Sequence, residues 1–318
     1  ADKTLEKVLS RVGNSKQKDV VAGIGDDGAI IRIGKVNQIL TTDHLREFNS
    51  DLWRFSKIAA THALADIWCM RGVPKTALAN IIIPEASDAI QRSWLNQIMG
   101  GALSVFETEK ISVVGGHTSV GKEFNVGFSL TGVCDKSPSL ISGAKPNDLI
   151  VLTKPIGSGT ILAGEMACLS KGSWVQNALV WMEKSQKEAS EILSKANAMT
   201  DVTGFGLAGH LMRVCESSNL GANIHLDSIP FLDGAEELSE VGVRSSIFVG
   251  NRDFRKTKIS CVPTAKSNLI FDPQTSGGIL AAIPETSKNN VLLALREKGY
   301  CASIIGNFFE GNPFISVS

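Results

Sequence analysis

Residues 199–211, MTDVTGFGLAGHL, restrict the fold of this chain more than any other stretch. Asp201 stands where an apolar strand is predicted to end, and the glycine-rich turn 203–206 follows directly. An apolar helix then begins, and His210 on this helix is interpreted as structural. A strand, a glycine-rich turn and a helix N-terminus together aim backbone N–H groups at an anion. A carboxylate beside a phosphate usually needs a cation such as Mg²⁺ between them, although a tight, capped entry into a helix needs no ligand.

Four further glycine-containing motifs adjoin predicted strands. They are GDDGA at 25–29, GGHT at 115–118, TKPIGSG at 153–159 and DPQTSGG at 272–278. Together with residues 199–211, they resemble the selenophosphate synthetase (selenide, water dikinase) family over nearly the whole chain. Relatives that share this fold, namely aminoimidazole ribonucleotide synthetase, thiamine-monophosphate kinase and the hydrogenase maturation dehydratase, use different sequences at the Asp201 position.

Composition argues against two functional classes. The chain carries 32 basic and 32 acidic residues, so there is no global positive field to attract nucleic acid. It contains no apolar run of about 18 residues that would span a membrane, and no signal peptide opens it. The six cysteines show no metal-finger spacing and stand mostly in apolar contexts, which predicts buried thiols in a cytoplasmic protein.

The length of 318 residues and the hydrophobic content of 43% predict two domains of α+β class. Residues 135–147 contain two prolines, three serines and a glycine, and are the best linker candidate, which gives domains 1–147 and 148–318. Residues 242–265 are predicted to form a long loop, with a solvated basic turn at 252–258. Strands are predicted at 29–33, 38–42, 76–83, 111–114, 124–133, 148–152, 222–226, 268–271, 278–283, 302–307 and 313–317. Helices are predicted at 52–70, 88–108, 160–169, 174–180, 184–196, 235–241 and 288–298, besides the one after Gly206.

The family resemblance implies more about the fold than the patterns show. It implies the aminoimidazole-ribonucleotide-synthetase-like fold, with an N-terminal ATP-binding and dimerisation domain and a C-terminal α/β domain. Two copies are expected to pair as a homodimer, in which the N-terminal domains join their strands into a shared β-barrel. The nucleotide is expected to bind near that interface.

Aspartates carry the metal hypothesis. Asp27 is the second of two adjacent acidic residues in a glycine turn, where like charges repel unless a cation or hydrogen bonds balance them. Asp43 is predicted to end a strand, a position that commonly lines a crevice. Asp66 stands on an apolar helix with His62 one turn before it, so the two side chains either pair or face a site. Each of these aspartates could instead be an ordinary turn, capping or structural residue.

The resemblance assigns roles to these positions. It implies that Asp27, Asp66 and Asp201 are the Mg²⁺ ligands that bridge the ATP phosphates, and that Asp43 is a further acidic position near the nucleotide and metals. Oxygen-only ligands favour Mg²⁺ over zinc. K⁺ is a further cofactor candidate.

Other residues are candidates for nucleotide binding. The resemblance implies that Gly116, His117 and Thr118 form a turn at the nucleotide site. Glycine lets the backbone approach a ligand there, although a lone histidine after a strand is more often structural. Lys154 could reach a phosphate or could simply be exposed. Residues 275–278 could supply hydroxyl and N–H donors to an anion, or could form a tight turn without a ligand.

The reaction that the resemblance implies is ATP + selenide + water → selenophosphate + AMP + phosphate, with a selenium-delivery protein as a candidate partner. Two alternatives stay open. Another ATP-using kinase or ligase of the same fold would end at ADP without needing selenide. A non-catalytic, nucleotide-binding dimer would bind ATP without turning it over.

The chain departs from the family in its first residues. The family has a glycine-rich N-terminal segment with a reactive cysteine or selenocysteine and a catalytic lysine. Here no cysteine precedes Cys69, and the early lysines lack the surrounding motif (Lys3, Lys7, Lys16 and Lys18). We therefore expect a truncated chain without catalytic residues, which folds and dimerises but makes no selenophosphate. In addition, Arg71 replaces a usual glycine and His62 a usual asparagine.

Overall fold

A computed structural model of the protein describes residues 8–9, 17–134, 137–254 and 256–318. It contains two compact units, here called the N-terminal and the C-terminal unit. The N-terminal unit comprises the described part of Ser15–Pro138 with Met182–Ser185, and the C-terminal unit comprises the described parts of Ala1–Asn14, Ser139–Trp181 and Gln186–Ser318. Residues 135–136 of the predicted linker, and Lys3, Lys7 and Lys16, lie outside the described residues. The domain boundary after residue 147 stays a prediction.

The N-terminal unit is built on a six-stranded sheet with the order β1-β2-β3-β6-β4-β5. Neighbouring strands run antiparallel except for β4 and β5, which are parallel. The strands β1–β6 are Val20–Ala22, Ala29–Ile33, Val36–Arg46, Val73–Pro84, Ser112–Gly121 and Asn125–Cys134. The helices α1 and α2 are Leu52–Cys69 and Asp88–Phe106.

Helix α1 forms the centre of this unit because it packs against β3, β6 and α2. Asp51 begins the helix, since its carboxylate accepts the backbone N–H of Arg54 at 3.0 Å. The two helices approach so closely that a Cβ on Gly101 would lie 1.9 Å from the Trp53 carbonyl oxygen. Within the described residues, the helices cover one face of the sheet at β4, which alternates buried and exposed residues along most of its length. The sheet therefore has an open face.

The C-terminal unit is built on a seven-stranded sheet with the order β10-β13-β9-β12-β7-β11-β8. The strands β7–β13 are Leu149–Leu152, Ala198–Asp201, Leu220–Ile224, Ile259–Ser260, Ile279–Ile283, Ser303–Glu310 and Ile315–Val317. Helices α3–α10 of this half of the chain are Ser158–Met166, Gly172–Glu183, Lys187–Ile192, Gly206–Ser218, Ala235–Glu240, Phe248–Phe254, Ala265–Leu269 and Lys288–Glu297. Helix α6 buries Leu207 and Leu211 against the sheet residues Ile150 and Phe308 in one apolar core.

Two predicted elements of this unit are wrong. Residues 268–271 are not a strand: helix α9 covers Ala265–Leu269 and begins with a capping box between Thr264 and Ser267. Residues 242–265 are not a structureless loop, because they contain helix α8, a 3₁₀ turn at Lys256–Lys258 and strand β10. The predicted basic turn at 252–258 thus includes the end of α8.

No helix in the described part of the chain is long and apolar enough to cross a membrane. The cysteines are less uniformly buried than predicted. Cys69, Cys134 and Cys215 are buried, whereas Cys168 and Cys301 are exposed.

Candidate functional site

Asp66 is placed by the last turns of α1, on the side of the helix that faces the sheet. Its side chain is 9% exposed, and one carboxylate oxygen accepts a short hydrogen bond from the Thr41 hydroxyl of β3. His62, one turn earlier, is buried as well. The carboxylate is thus fixed between the helix and β3, and burial of this kind is costly for a charge that lacks compensation.

Asp27 lies in the turn before β2 and is half-buried. One of its carboxylate oxygens lies within 4.8 Å of the Cys69 Sγ, at the end of α1. Gly28 lets this turn close on β3, because a Cβ there would lie 3.0 Å from the Leu40 carbonyl oxygen. Asp66 and Cys69 are three residues apart on α1 and therefore neighbours on its surface. The structure places Asp27 at the same end of the helix as Asp66.

The sequence analysis did not select Cys69. The sequence feature that could have identified Cys69 is its spacing of three residues from Asp66. Nearby, Arg71 adopts φ +58°, a left-handed conformation that glycine adopts without cost and that costs another residue roughly 1 kcal/mol. This conformation explains why glycine suits the position and shows that arginine is tolerated there.

Asp43 is not at the end of a strand. Strand β3 continues to Arg46, because it pairs with β6 along ten consecutive residues, and Asp43 stands opposite Phe128 within that ladder. Its side chain is half-buried. It therefore projects from the sheet surface instead of from a loop.

The GGHT motif is not a turn either, because β5 continues through it to Gly121. The strand has a bulge at Val114, where the partner of Ala77 is Val113 and the partner of Leu78 is Gly115. Gly116 has φ +151°, and a Cβ there would lie 1.9 Å from the Ala79 carbonyl oxygen. The side chains of His117 and Thr118 are exposed on this edge strand. Close contact with β4 explains the need for glycine.

Asp201 ends strand β8, as predicted. It is 2% exposed and pairs with Ile279 of β11. Three backbone N–H groups of the following turn and helix are bonded within the protein. The Thr203 N–H donates to the His210 Nε2 at 3.1 Å. The Gly206 N–H donates to the Thr203 carbonyl at 3.0 Å, and the Ala208 N–H donates to the Ile270 carbonyl at 2.8 Å. His210 therefore has the structural contact that the sequence analysis assigns to it, and these three N–H groups do not point at an anion.

The TKPIGSG and DPQTSGG motifs lie against each other. The Gln274 Oε1 accepts the backbone N–H groups of Gly157 at 2.9 Å and Ser158 at 3.1 Å. The Asp272 carboxylate accepts both the N–H and the hydroxyl of Thr160 at 2.9 Å. Complete burial raises the pKa of Asp272 to about 7, although these hydrogen bonds oppose the shift.

Lys154 is buried, so the interpretation of Lys154 as an exposed surface residue is wrong. Its side chain is 1% exposed, and the Nζ donates to the Ser276 carbonyl oxygen at 2.9 Å. A Cβ on Gly278 would lie 2.5 Å from the Lys154 backbone nitrogen. The second glycine of DPQTSGG therefore lets this loop contact the end of β7, and the loop holds the ammonium group in place.

Both units match domains of one known protein family. Residues 25–134 match the N-terminal domain of AIR synthase related proteins, and residues 145–317 match the C-terminal domain of the same family. The structure resembles thiamine-monophosphate kinase from Stenotrophomonas maltophilia K279a, with a TM-score of 0.71, 16% identity and coverage of 99% of this chain and 95% of that one. It also resembles E. coli HypE, a hydrogenase maturation protein, with a TM-score of 0.70, 15% identity and coverage of 100% and 93%. These structural likenesses show the fold.

Two curated sequences are more similar to the chain. The selenide, water dikinase of Caldanaerobacter subterraneus subsp. tengcongensis is 33% identical over 98% of this chain and 92% of its own length. The enzyme of the same name from Geobacter metallireducens is 33% identical over 95% of this chain and 90% of its own length. The chain therefore belongs to the selenide, water dikinase family of AIR synthase related proteins.

Proposed function

We propose that the natural-length protein synthesises selenophosphate from selenide, in the reaction ATP + selenide + water → selenophosphate + AMP + phosphate. The observation that carries the proposal is the 33% identity to a selenide, water dikinase over 98% of the chain. ATP and selenide are the substrates that this reaction requires. The two-domain fold of AIR synthase related proteins supports the use of ATP, since its relatives include a thiamine-monophosphate kinase.

We propose Asp27, Asp66 and Asp201 as the residues that hold Mg²⁺, with K⁺ as a further candidate ion. The chemistry of these side chains fits Mg²⁺, which prefers oxygen ligands and binds through a few carboxylates together with phosphate oxygens. The burial of Asp66 and Asp201 supports the assignment, because a buried carboxylate gains from a nearby cation. When bound, Mg²⁺ neutralises phosphate charge and orients the γ-phosphoryl group.

We propose that Asp43, Gly116, His117, Thr118 and Lys154 contribute to nucleotide binding. On β5, the exposed His117 and Thr118 side chains supply polar groups beside the bulged backbone. Lys154 supplies a positive charge whose position is fixed by the Ser276 carbonyl. These groups would bind and orient the nucleotide, and none of them has to transfer a proton.

We also propose that the protein acts as a homodimer through the N-terminal unit, in the cytoplasm, with a selenium-delivery protein as its partner. The open face of the six-stranded sheet supports the dimer, because it exposes aliphatic side chains on β4. These are Leu78 at 44% and Ile82 at 36% exposure. The exposed thiols of Cys168 and Cys301 are compatible with a reducing compartment.

A phosphorus NMR time course tests the proposed reaction. The natural-length protein is incubated with ATP, Mg²⁺, K⁺ and selenide under anaerobic conditions. We expect a selenophosphate signal together with AMP and phosphate, and no selenophosphate when selenide is omitted. ADP as the end product without selenide dependence would assign the protein to another kinase of this fold, and unchanged ATP would indicate a nucleotide-binding protein without turnover.

Replacing Asp201 tests the metal site. We expect Asp201→Asn to weaken Mg²⁺-dependent ATP binding by at least about tenfold, since the neutral amide is a poorer Mg²⁺ ligand, while the fold persists. Titration calorimetry with and without Mg²⁺ measures the effect. Asp148→Asn is the matched control, because Asp148 is also buried in the C-terminal unit but accepts hydrogen bonds from Asn197 and the Lys145 backbone. Equal ATP affinity in Asp201→Asn and the unmodified protein would argue against a metal role.

A further inference from the structure

The loop 272–278 connects several parts of the C-terminal unit that the proposed function uses. The Ser276 carbonyl holds the Lys154 ammonium group at 2.9 Å. The Gly278 carbonyl accepts the N–H of Val202, the residue after Asp201, also at 2.9 Å. The loop therefore lies between the buried lysine and the end of the strand that carries Asp201.

The same loop fills the N-terminus of helix α3. Gln274 accepts two of the N–H groups there, Asp272 accepts a third, and the Pro273 carbonyl accepts the N–H of Gly159 at 3.1 Å. Helix N-termini are ordinarily capped by a side chain one to three residues away, or by an external anion. Here the acceptors stand more than 110 residues further along the chain. The TKPIGSG loop thus contains the glycines of a phosphate-binding loop, but two side chains and one backbone carbonyl of the protein itself accept its N–H groups.

The contacts of Gln274 extend to the other motif. Its side-chain oxygen also accepts the Ser158 hydroxyl at 3.1 Å, and its backbone N–H donates to the Thr203 carbonyl at 2.9 Å. Its side-chain nitrogen donates to the Asp272 carbonyl at 2.8 Å. The side chain is 4% exposed. A buried polar network whose members all have partners fixes one arrangement of its backbone, whereas apolar contacts permit small displacements.

We propose that Gln274 and Asp272 are positioning residues of the ATP site, which act through Lys154 and the end of β8. The inference rests on the proposed function. The two side chains hold the TKPIGSG loop against the loop 272–278, and this arrangement determines where the Lys154 ammonium and the Asp201 carboxylate stand. Neither Gln274 nor Asp272 needs to touch the nucleotide.

The test compares two substitutions that differ in hydrogen bonding and little in shape. Gln274→Met removes the acceptor for Gly157 and Ser158, and Gln274→Glu retains it. We expect Gln274→Met to raise the Kd for Mg²⁺ with the non-hydrolysable analogue AMPPCP by at least about tenfold, because small misplacements of binding groups are costly. We expect Gln274→Glu to recover only part of that loss, because it keeps the acceptor but, when ionised, cannot donate to the Asp272 carbonyl as Gln274 does at 2.8 Å. All calorimetric titrations are run at one temperature, about 20 °C below the lowest Tm among the variants, so that the folded fraction is close to one and lowered stability alone leaves the Kd unchanged.

Ser218→Ala is the matched control, because the Ser218 Oγ also accepts two consecutive backbone N–H groups, those of Gly143 and Ala144. It should leave the Kd unchanged. An unaltered Kd in Gln274→Met, with the unmodified protein binding the analogue, would overturn the inference and leave the proposed function intact. Absence of binding by the unmodified protein would contradict the proposed function itself. If Gln274→Met does not fold, Asp272→Asn replaces it, and an unaltered Kd there overturns the inference equally.

Discussion

At the scale of single residues, Asp272 should make the C-terminal unit sensitive to pH. Burial raises its pKa to about 7 in the folded protein, whereas an aspartate in the unfolded chain titrates near 3.9. The folded state therefore binds the proton more tightly. The associated stabilisation is complete below about pH 4 and is lost as the pH rises through about 7. From this group alone, we expect the free energy of unfolding to fall by up to roughly 4 kcal/mol over that range.

Urea unfolding of the unmodified protein and of Asp272→Asn measures this contribution. Because asparagine does not titrate, the unfolding free energy of Asp272→Asn should rise relative to that of the unmodified protein between about pH 5 and pH 7.5. Ser218→Ala, which removes an uncharged acceptor in the same unit, should follow the pH dependence of the unmodified protein. Parallel curves for Asp272→Asn and the unmodified protein would contradict the assignment.

The same scale shows which parts of the candidate site a sequence can reveal. Asp66 and Asp201 were selected because a charge stood out in an apolar helix and at the end of an apolar strand, and both side chains are buried there. The contacts of Lys154 with Ser276 and of Gln274 with Gly157 join residues more than 110 positions apart. No local pattern encodes such pairs, so they required the folded structure.

At the scale of elements, length and periodicity decided which predictions succeeded. Helices α1 and α2 were predicted within two residues of their observed ends, because each presents a long apolar stripe behind a capping position. Helix α9 has five residues, too few to show a helical period, and its short apolar run resembles a strand. Strand β5 was cut short because two consecutive glycines usually mark a turn, whereas here close approach to β4 requires them.

At the scale of the whole molecule, the open face of the N-terminal sheet is the feature that a single chain leaves unexplained. Strand β4 directs Leu78 and Ile82 to that face, opposite the helices, and their partners on β5 are Gly115 and Ser119. An exposed group of aliphatic side chains on a sheet is typical of an interface with another chain. Because a second copy of the chain presents the same surface, a symmetric pair can cover both faces at once.

We expect the protein to sediment with the mass of two chains at micromolar concentration, and Leu78→Glu to shift it towards the monomer. A twofold axis places each substituted residue at the interface twice. The desolvation cost of the carboxylate and the loss of leucine burial therefore both count twice. Together they should raise the Kd for dimerisation by more than about tenfold. Ile90→Glu is the matched control, since Ile90 is 47% exposed on helix α2, which does not belong to the sheet. It should remain dimeric. A monomeric unmodified protein, or a Leu78→Glu variant that dimerises as tightly as Ile90→Glu, would show that this face serves another purpose.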